Sequence, residues 1–142
     1  MENDPFVPQN EQQAWVGILF ACMASDLKLP DVETDTLVQT ITKKEIFKSV
    51  MILPVYRDVM YAHSKLGSKG LMELCISKIK DAYKLTLFAV ACEIVSADGN
   101  EHALENDILS HLAGLLNIPA DMKQKIKEVI TIKNKGNTII SN

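Results

Sequence analysis

Apolar residues recur three or four positions apart along almost the whole chain, and no stretch keeps the strict alternation of a half-buried strand. The first long run, "EQQAWVGILFACMAS" over 11–25, predicts a helix. "DVETDTLVQTI" (31–41) follows Pro30 and carries acidic residues in its first turn, where the helix dipole favours them. "KKEIFKSVMIL" (43–53) and "VYRDVMYAHSK" (55–65) come next. Pro54 is expected to end or kink that run, because proline lacks a backbone donor and clashes with the preceding turn. Gly67 reads as a C-terminal cap. Ser68 then starts "KGLMELCISKI", and Asp81 starts "AYKLTLFAVACEIVSA" (82–97). "HALENDILSHLAGLLN" (102–117) and, after Pro119, "ADMKQKIKEVI" (120–130) complete the pattern. The tail "TIKNKGNTIISN" (131–142) is polar and weakly basic and reads as poorly ordered. The expected fold is all-α: one compact domain over 1–142, with a core in 10–130 and about seven short helices.

An internal repeat gives this pattern more shape. "ASDLKLPDVETDTL" (24–37) resembles "SADGNEHALENDIL" (96–109) at a constant offset of 72 residues, which relates Asp26 to Asp98, Glu33 to Glu105, Asp35 to Asp107 and Leu37 to Leu109. Each copy follows a long apolar helix, so the two read as pseudo-repeated helix-turn-helix units. On a helix, positions i, i+4, i+7 and i+11 share a face. Backward from Asp98 that face carries Ile94, Ala91 and Leu87; backward from Asp26 it carries Cys22, Leu19 and Trp15. Forward from Glu105 it carries Leu109, Leu112 and Leu116; forward from Glu33, Leu37 and Ile41. Asp107 and Asp35 point about 200° away from their glutamates and read as solvated.

Carboxylates that extend apolar stripes need a partner, because an unpaired buried charge is costly. Helix capping, ion pairing with a lysine such as Lys28 or Lys84, and a shared hard cation all satisfy that need. The EF-hand loop does not fit: glycine follows Asp98 immediately, and Glu105 arrives too early.

Composition narrows the class. The chain is 47% hydrophobic over 142 residues, enough for a core, and its net charge of −3 argues against a nucleic-acid partner. Lys78, Lys80 and Lys84 accordingly read as a solvated, weakly positive face. No apolar run approaches a membrane span, and "MENDPFVPQNEQQ" is unlike a secretory signal, so the cytoplasm is the expected compartment. Cys22, Cys75 and Cys92 sit in apolar segments without Cys-x-x-Cys spacing and read as buried, reduced thiols. No phosphate loop, Ser-His-Asp signature or zinc spacing is present. His63, His102 and His111 are scattered and read as surface residues, with Asp107 and His111 able to pair at i, i+4.

The segment "VSADGNEHALENDILSHLAGLLNI" (95–118) resembles the TerB-type tellurite-resistance family in its Ala-Asp-Gly turn, acidic glutamate and leucine-rich helix. "ACMASDLKLPDVETDTLVQTI" (21–41) resembles the N-terminal counterpart, and the resemblance runs over roughly 11–130. It implies an all-helical domain of about seven helices, a role in stress response, and a divalent cation held by Asp98 and Glu105 and by Asp26 and Glu33. It also implies partners among other tellurite-resistance or stress proteins, some of them membrane-embedded. The first copy departs from the pattern, with Leu27 where glycine is usual; a left-handed backbone there would strain leucine. His102 stands where a serine-like N-cap is common. The resulting expectation is a non-enzymatic domain with an oxygen-rich site suited to Ca²⁺ or Mg²⁺. The alternatives are an interaction scaffold whose carboxylates only cap helices, and a metal-dependent hydrolase, for which no nucleophile or base accompanies the carboxylates.

Overall fold

The structure is a computed structural model that describes residues 6–24, 31–97, 104 and 107–137, with the side chains of 31–36 and 137 outside that description. Among the described residues there are six α-helices and no strand: α1 (Glu11–Met23), α2 (Asp31–Thr42), α3 (Ile52–Cys75), α4 (Lys84–Val95), α5 (Asp107–Leu115) and α6 (Ala120–Asn134). Short 3-10 turns at Glu45–Phe47, Ile76–Lys78, Asp81–Tyr83 and Lys135–Asn137 complete the regular structure. None of these helices is long and apolar enough to cross a membrane.

Two helices form the centre. α1 packs against α2, α3 and α4, while α4 packs against α1, α2, α5 and α6. Every residue of α1 from Ala14 to Met23 is buried. A helix apolar on all sides belongs inside a domain, and here aromatic contacts fix it from two sides. The Trp15 ring meets Phe47 and Tyr83 edge-on at centroid distances of 5.8 and 6.2 Å. Phe20 meets Tyr56 and His63 in the same way at 5.4 and 5.3 Å. Such pairs contribute about 0.5–1.5 kcal/mol each beyond the area they bury. α1 starts where Asn10 caps it: the Asn10 side chain accepts from the Gln13 backbone N–H at 2.9 Å.

The apolar stripes read from the sequence are all interior: Trp15, Leu19 and Cys22; Leu37 and Ile41; Leu87, Ala91 and Ile94; Leu109, Leu112 and Leu116. Two boundaries differ from expectation. Pro54 does not end a helix but lies in the first turn of α3, where the backbone N–H groups have no helical acceptor and proline removes nothing. Residues 43–51 hold only the 3-10 turn Glu45–Phe47, and Ser49 turns there with φ 74°. The break expected at Gly67 is present: with φ 74° and ψ 175° it interrupts α3 and divides it into two helical stretches, a geometry only glycine adopts without strain. The expected tail at 131–142 is corrected as well: α6 continues through Asn134, and Asn134 is buried. Residues 138–142 lie outside the described ones.

α5 ends in a Schellman arrangement. Ile118 N–H donates to Ala113 O at 3.0 Å and Asn117 N–H to Gly114 O at 3.2 Å, with Asn117 left-handed at φ 58°. Pro119 then caps α6.

Candidate functional site

Asp26, Asp98 and Glu105 lie outside the described residues, as does the side chain of Glu33, whose backbone belongs to α2. His102 and Lys28 also lie outside. What the structure describes is the scaffold from which these acidic segments depart. α1 ends at Met23 and α4 at Val95, so Asp26 and Asp98 each follow a central helix by three residues. Cys22 and Cys92 lie near those two helix ends and are electrostatic neighbours. α1 packs against α4, and the C-terminal ends of both helices, from which the two acidic segments continue in sequence, lie near these thiols.

The exit of α4 is fastened. Ser96 and Asn134 are the two buried polar residues among the described ones. Ser96 Oγ donates to Cys92 O at 2.7 Å, closing the last turn of α4. Asn134 Nδ2 donates to Ser96 Oγ at 3.0 Å and to Ser96 O at 3.2 Å, joining the end of α6 to the start of the Asp98 segment. Beside this latch, Lys133 Nζ meets Glu93 Oε2 at 2.6 Å on a half-exposed surface. The sequence offers a signal for Ser96, the small residue before Ala-Asp-Gly. Asn134 gives none, because a lone asparagine in a polar segment looks like tail.

The remaining candidate groups fall elsewhere. Lys84 pairs with Asp81 at 2.9 Å, three residues back in the 3-10 turn that precedes α4. His111 does not pair with the exposed Asp107: its Nε2 lies 3.3 Å from Glu73 Oε2 on α3, close but not aligned as a hydrogen bond. His63 is half-buried: its ring packs on Phe20 and its Nε2 lies 2.9 Å from Ser68 Oγ. Burial pushes its imidazole below the usual range. The three thiols are free and buried. Burial pushes Cys75 and Cys92 up to about 12, with Lys127 partly opposing the shift at Cys92. Burial and then Cys92 push Cys22 further still. A nucleophilic cysteine needs the opposite environment. Among the described residues, no three His, Cys, Asp or Glu side chains gather where they could hold a metal.

One cleft, of about 380 Å³, opens beside the start of α1. Glu11, Gln12, Ile46, Lys78, Lys80 and Tyr83 line it together with Asn10. Glu11 Oε2 accepts from the Lys80 backbone N–H at 3.1 Å, and Gln12 donates to Ile46 O at 2.9 Å. Two of its polar side chains are thus committed to holding the 3-10 turns against α1, and Glu11 sets a negative charge among the two lysines. The cleft has a mixed polar and apolar lining and carries no paired acid and base.

Comparison with protein-family models, with curated proteins and with solved structures gives no match.

Proposed function

We propose that this chain is a non-enzymatic, TerB-like helical domain that takes a divalent cation on acidic segments following its two central helices. The observation that carries the reading is the packing of α1 against α4, with Cys22 and Cys92 near their C-terminal ends within electrostatic reach of one another. Two segments with the same Asp–Glu spacing continue in sequence from those ends, one after each helix. Asp98 and Glu105 form the first pair of donors, and Asp26 and Glu33 the second. All are hard oxygen ligands, which favours Ca²⁺ or Mg²⁺ over Zn²⁺. Four carboxylates exceed the charge of one dication, so the proposal calls for two ions or a nearby lysine. Lys84 is committed to Asp81 and does not serve. The stress-response role and the tellurite-resistance partners rest on the resemblance alone.

The test is thermal unfolding with and without Ca²⁺, Mg²⁺, Mn²⁺ and Zn²⁺, joined to titration calorimetry. A ligand at 100 times its dissociation constant stabilises the fold by about 2.7 kcal/mol, several degrees for a domain of this size. Asp98→Asn should remove most of the shift and leave the unliganded melting temperature close to wild type, since the amide still caps a helix. No shift and no heat with any of the four ions overturns the cation reading and leaves the carboxylates as caps. Metal-dependent turnover of a phosphodiester or pyrophosphate would instead select the hydrolase.

A further inference from the structure

The first stretch of α3 faces the core with Ile52, Val55, Val59 and Ala62, all buried. Its opposite face is unusual for a solvated helix. Leu53 is 76% exposed and Met60 and Tyr61 are 45% exposed, and Met51, just before the helix, is 76% exposed. At 100° per residue, Leu53, Arg57, Met60, Tyr61 and Lys65 fall on one outward arc, with the exposed Asp58 at its edge beside Lys65. Lys65 Nζ sits 5.3 Å from the centre of the Tyr61 ring, so cation and aromatic share the same patch of surface.

Charge follows the same segment. Residues 43–69 contain six Lys/Arg against two Asp/Glu, a net +4 in a chain of net −3, which leaves −7 for the rest. One of the two acids, Glu45, is paired with Lys48 at 3.2 Å. An acidic protein thus carries a net positive segment around two of its most exposed apolar side chains, Met51 and Leu53. Apolar side chains standing out among lysines and arginines form the pattern that lies in the interface of an anionic bilayer: the apolar tips enter the headgroup boundary and the cations meet the lipid phosphates.

We propose that the outer face of α3, with Met51, docks reversibly on an anionic lipid surface. Met51 and Leu53 are the inserting side chains, and Arg57 and Lys65 the flanking contacts. A surface that bound an acidic protein would use the same cations, but two side chains three-quarters exposed at the end of a helix suit a fluid interface better. α6 also exposes Val129 and Ile132, at 61% and 74%, among Lys123, Lys125 and Lys127 as well as Asp121 and Glu128, so variants on both helices are needed to assign binding to α3. This proposal stands apart from the cation reading, and neither depends on the other.

The test is flotation of the full chain with vesicles of phosphatidylcholine alone and of phosphatidylcholine mixed with phosphatidylglycerol. Binding is expected to the mixed vesicles only, and to weaken as salt rises. Each basic residue near such a surface is worth about fivefold in partitioning. Arg57→Glu combined with Lys65→Glu should therefore weaken it by at least about 25-fold. Met51→Ser with Leu53→Ser should weaken it at unchanged net charge, while Val129→Ser with Ile132→Ser should leave it as in wild type. All these side chains are exposed, and unchanged melting temperatures would verify the folds. Absence of binding to the mixed vesicles overturns the proposal, as does equal binding by the α3 variants. Concentration-dependent dimerisation abolished by Met51→Ser with Leu53→Ser would assign the face to a second copy of the chain and overturn it too.

Discussion

Asn134 and Lys133 are neighbours in sequence, and both tie α6 to α4, yet their contributions should differ. The Lys133–Glu93 contact is the shorter, at 2.6 Å, but the lysine side chain is more than half exposed. Water competes for both charges, and such pairs contribute at most about 1 kcal/mol. The Asn134–Ser96 bonds are longer, at 3.0 and 3.2 Å, but both residues are buried. Truncating Asn134 strands a buried carbonyl and a hydroxyl, at a cost of about 1–3 kcal/mol. In urea unfolding, Asn134→Ala is expected to lower the midpoint clearly and Lys133→Ala hardly at all. Equal losses would mean that the buried latch contributes no more than the surface pair. Ser96 of the latch precedes Asp98 by two residues in sequence, so Asn134→Ala should weaken any cation-induced stabilisation beyond its effect on the unliganded fold.

At the level of elements, α1 packs tightly against α3 at Gly17. A Cβ built there would stand 2.6 Å from Cys75 Sγ, well inside contact distance. Gly17→Ala is therefore expected to destabilise by about 1–3 kcal/mol despite alanine's better helix propensity. Cys75→Ala creates room, so the double variant should be more stable than the sum of the single changes implies, a coupling that a double-mutant cycle in urea reads directly. Additive effects would place the cost of alanine elsewhere. The helices themselves were legible because their apolar spacing is regular, and the buried stripes from Trp15 to Cys22 and from Leu87 to Ile94 follow from it. Pro54 misled because the residue types alone do not say whether a proline ends one helix or opens the next. The extent of α6 was hidden because Asn134 is polar by type and interior only by virtue of Ser96, 38 residues away. That Cys22 on α1 and Cys92 on α4 are neighbours was equally invisible, since pairing of helices is decided by packing across the whole chain. The four predicted carboxylates were legible as a repeat, and the structure describes the ends they leave from.

For the molecule as a whole, the buried thiols set a pH limit. An ordinary cysteine ionises near 9.0, whereas in the fold Cys75 and Cys92 hold their protons to about 12. Above pH 9 the unfolded chain releases protons that the native chain retains, so unfolding is favoured. Stability from this source is complete below pH 9 and is lost as pH rises to about 12. The urea midpoint should fall across that window more steeply for wild type than for Cys92→Ala; identical slopes would show that the thiols do not govern the decline. A different vulnerability follows from α1. Its ten consecutive buried residues, Ala14 to Met23, carry no charge and no proline. Enclosed, they hold four other segments together. Released by heat, they become the stickiest stretch of the chain, and the protein's acidity elsewhere gives them no local repulsion. Recovery after heating should then depend on how soon one molecule's α1 meets another's, and the working lifetime of a warm sample should shorten as it is concentrated.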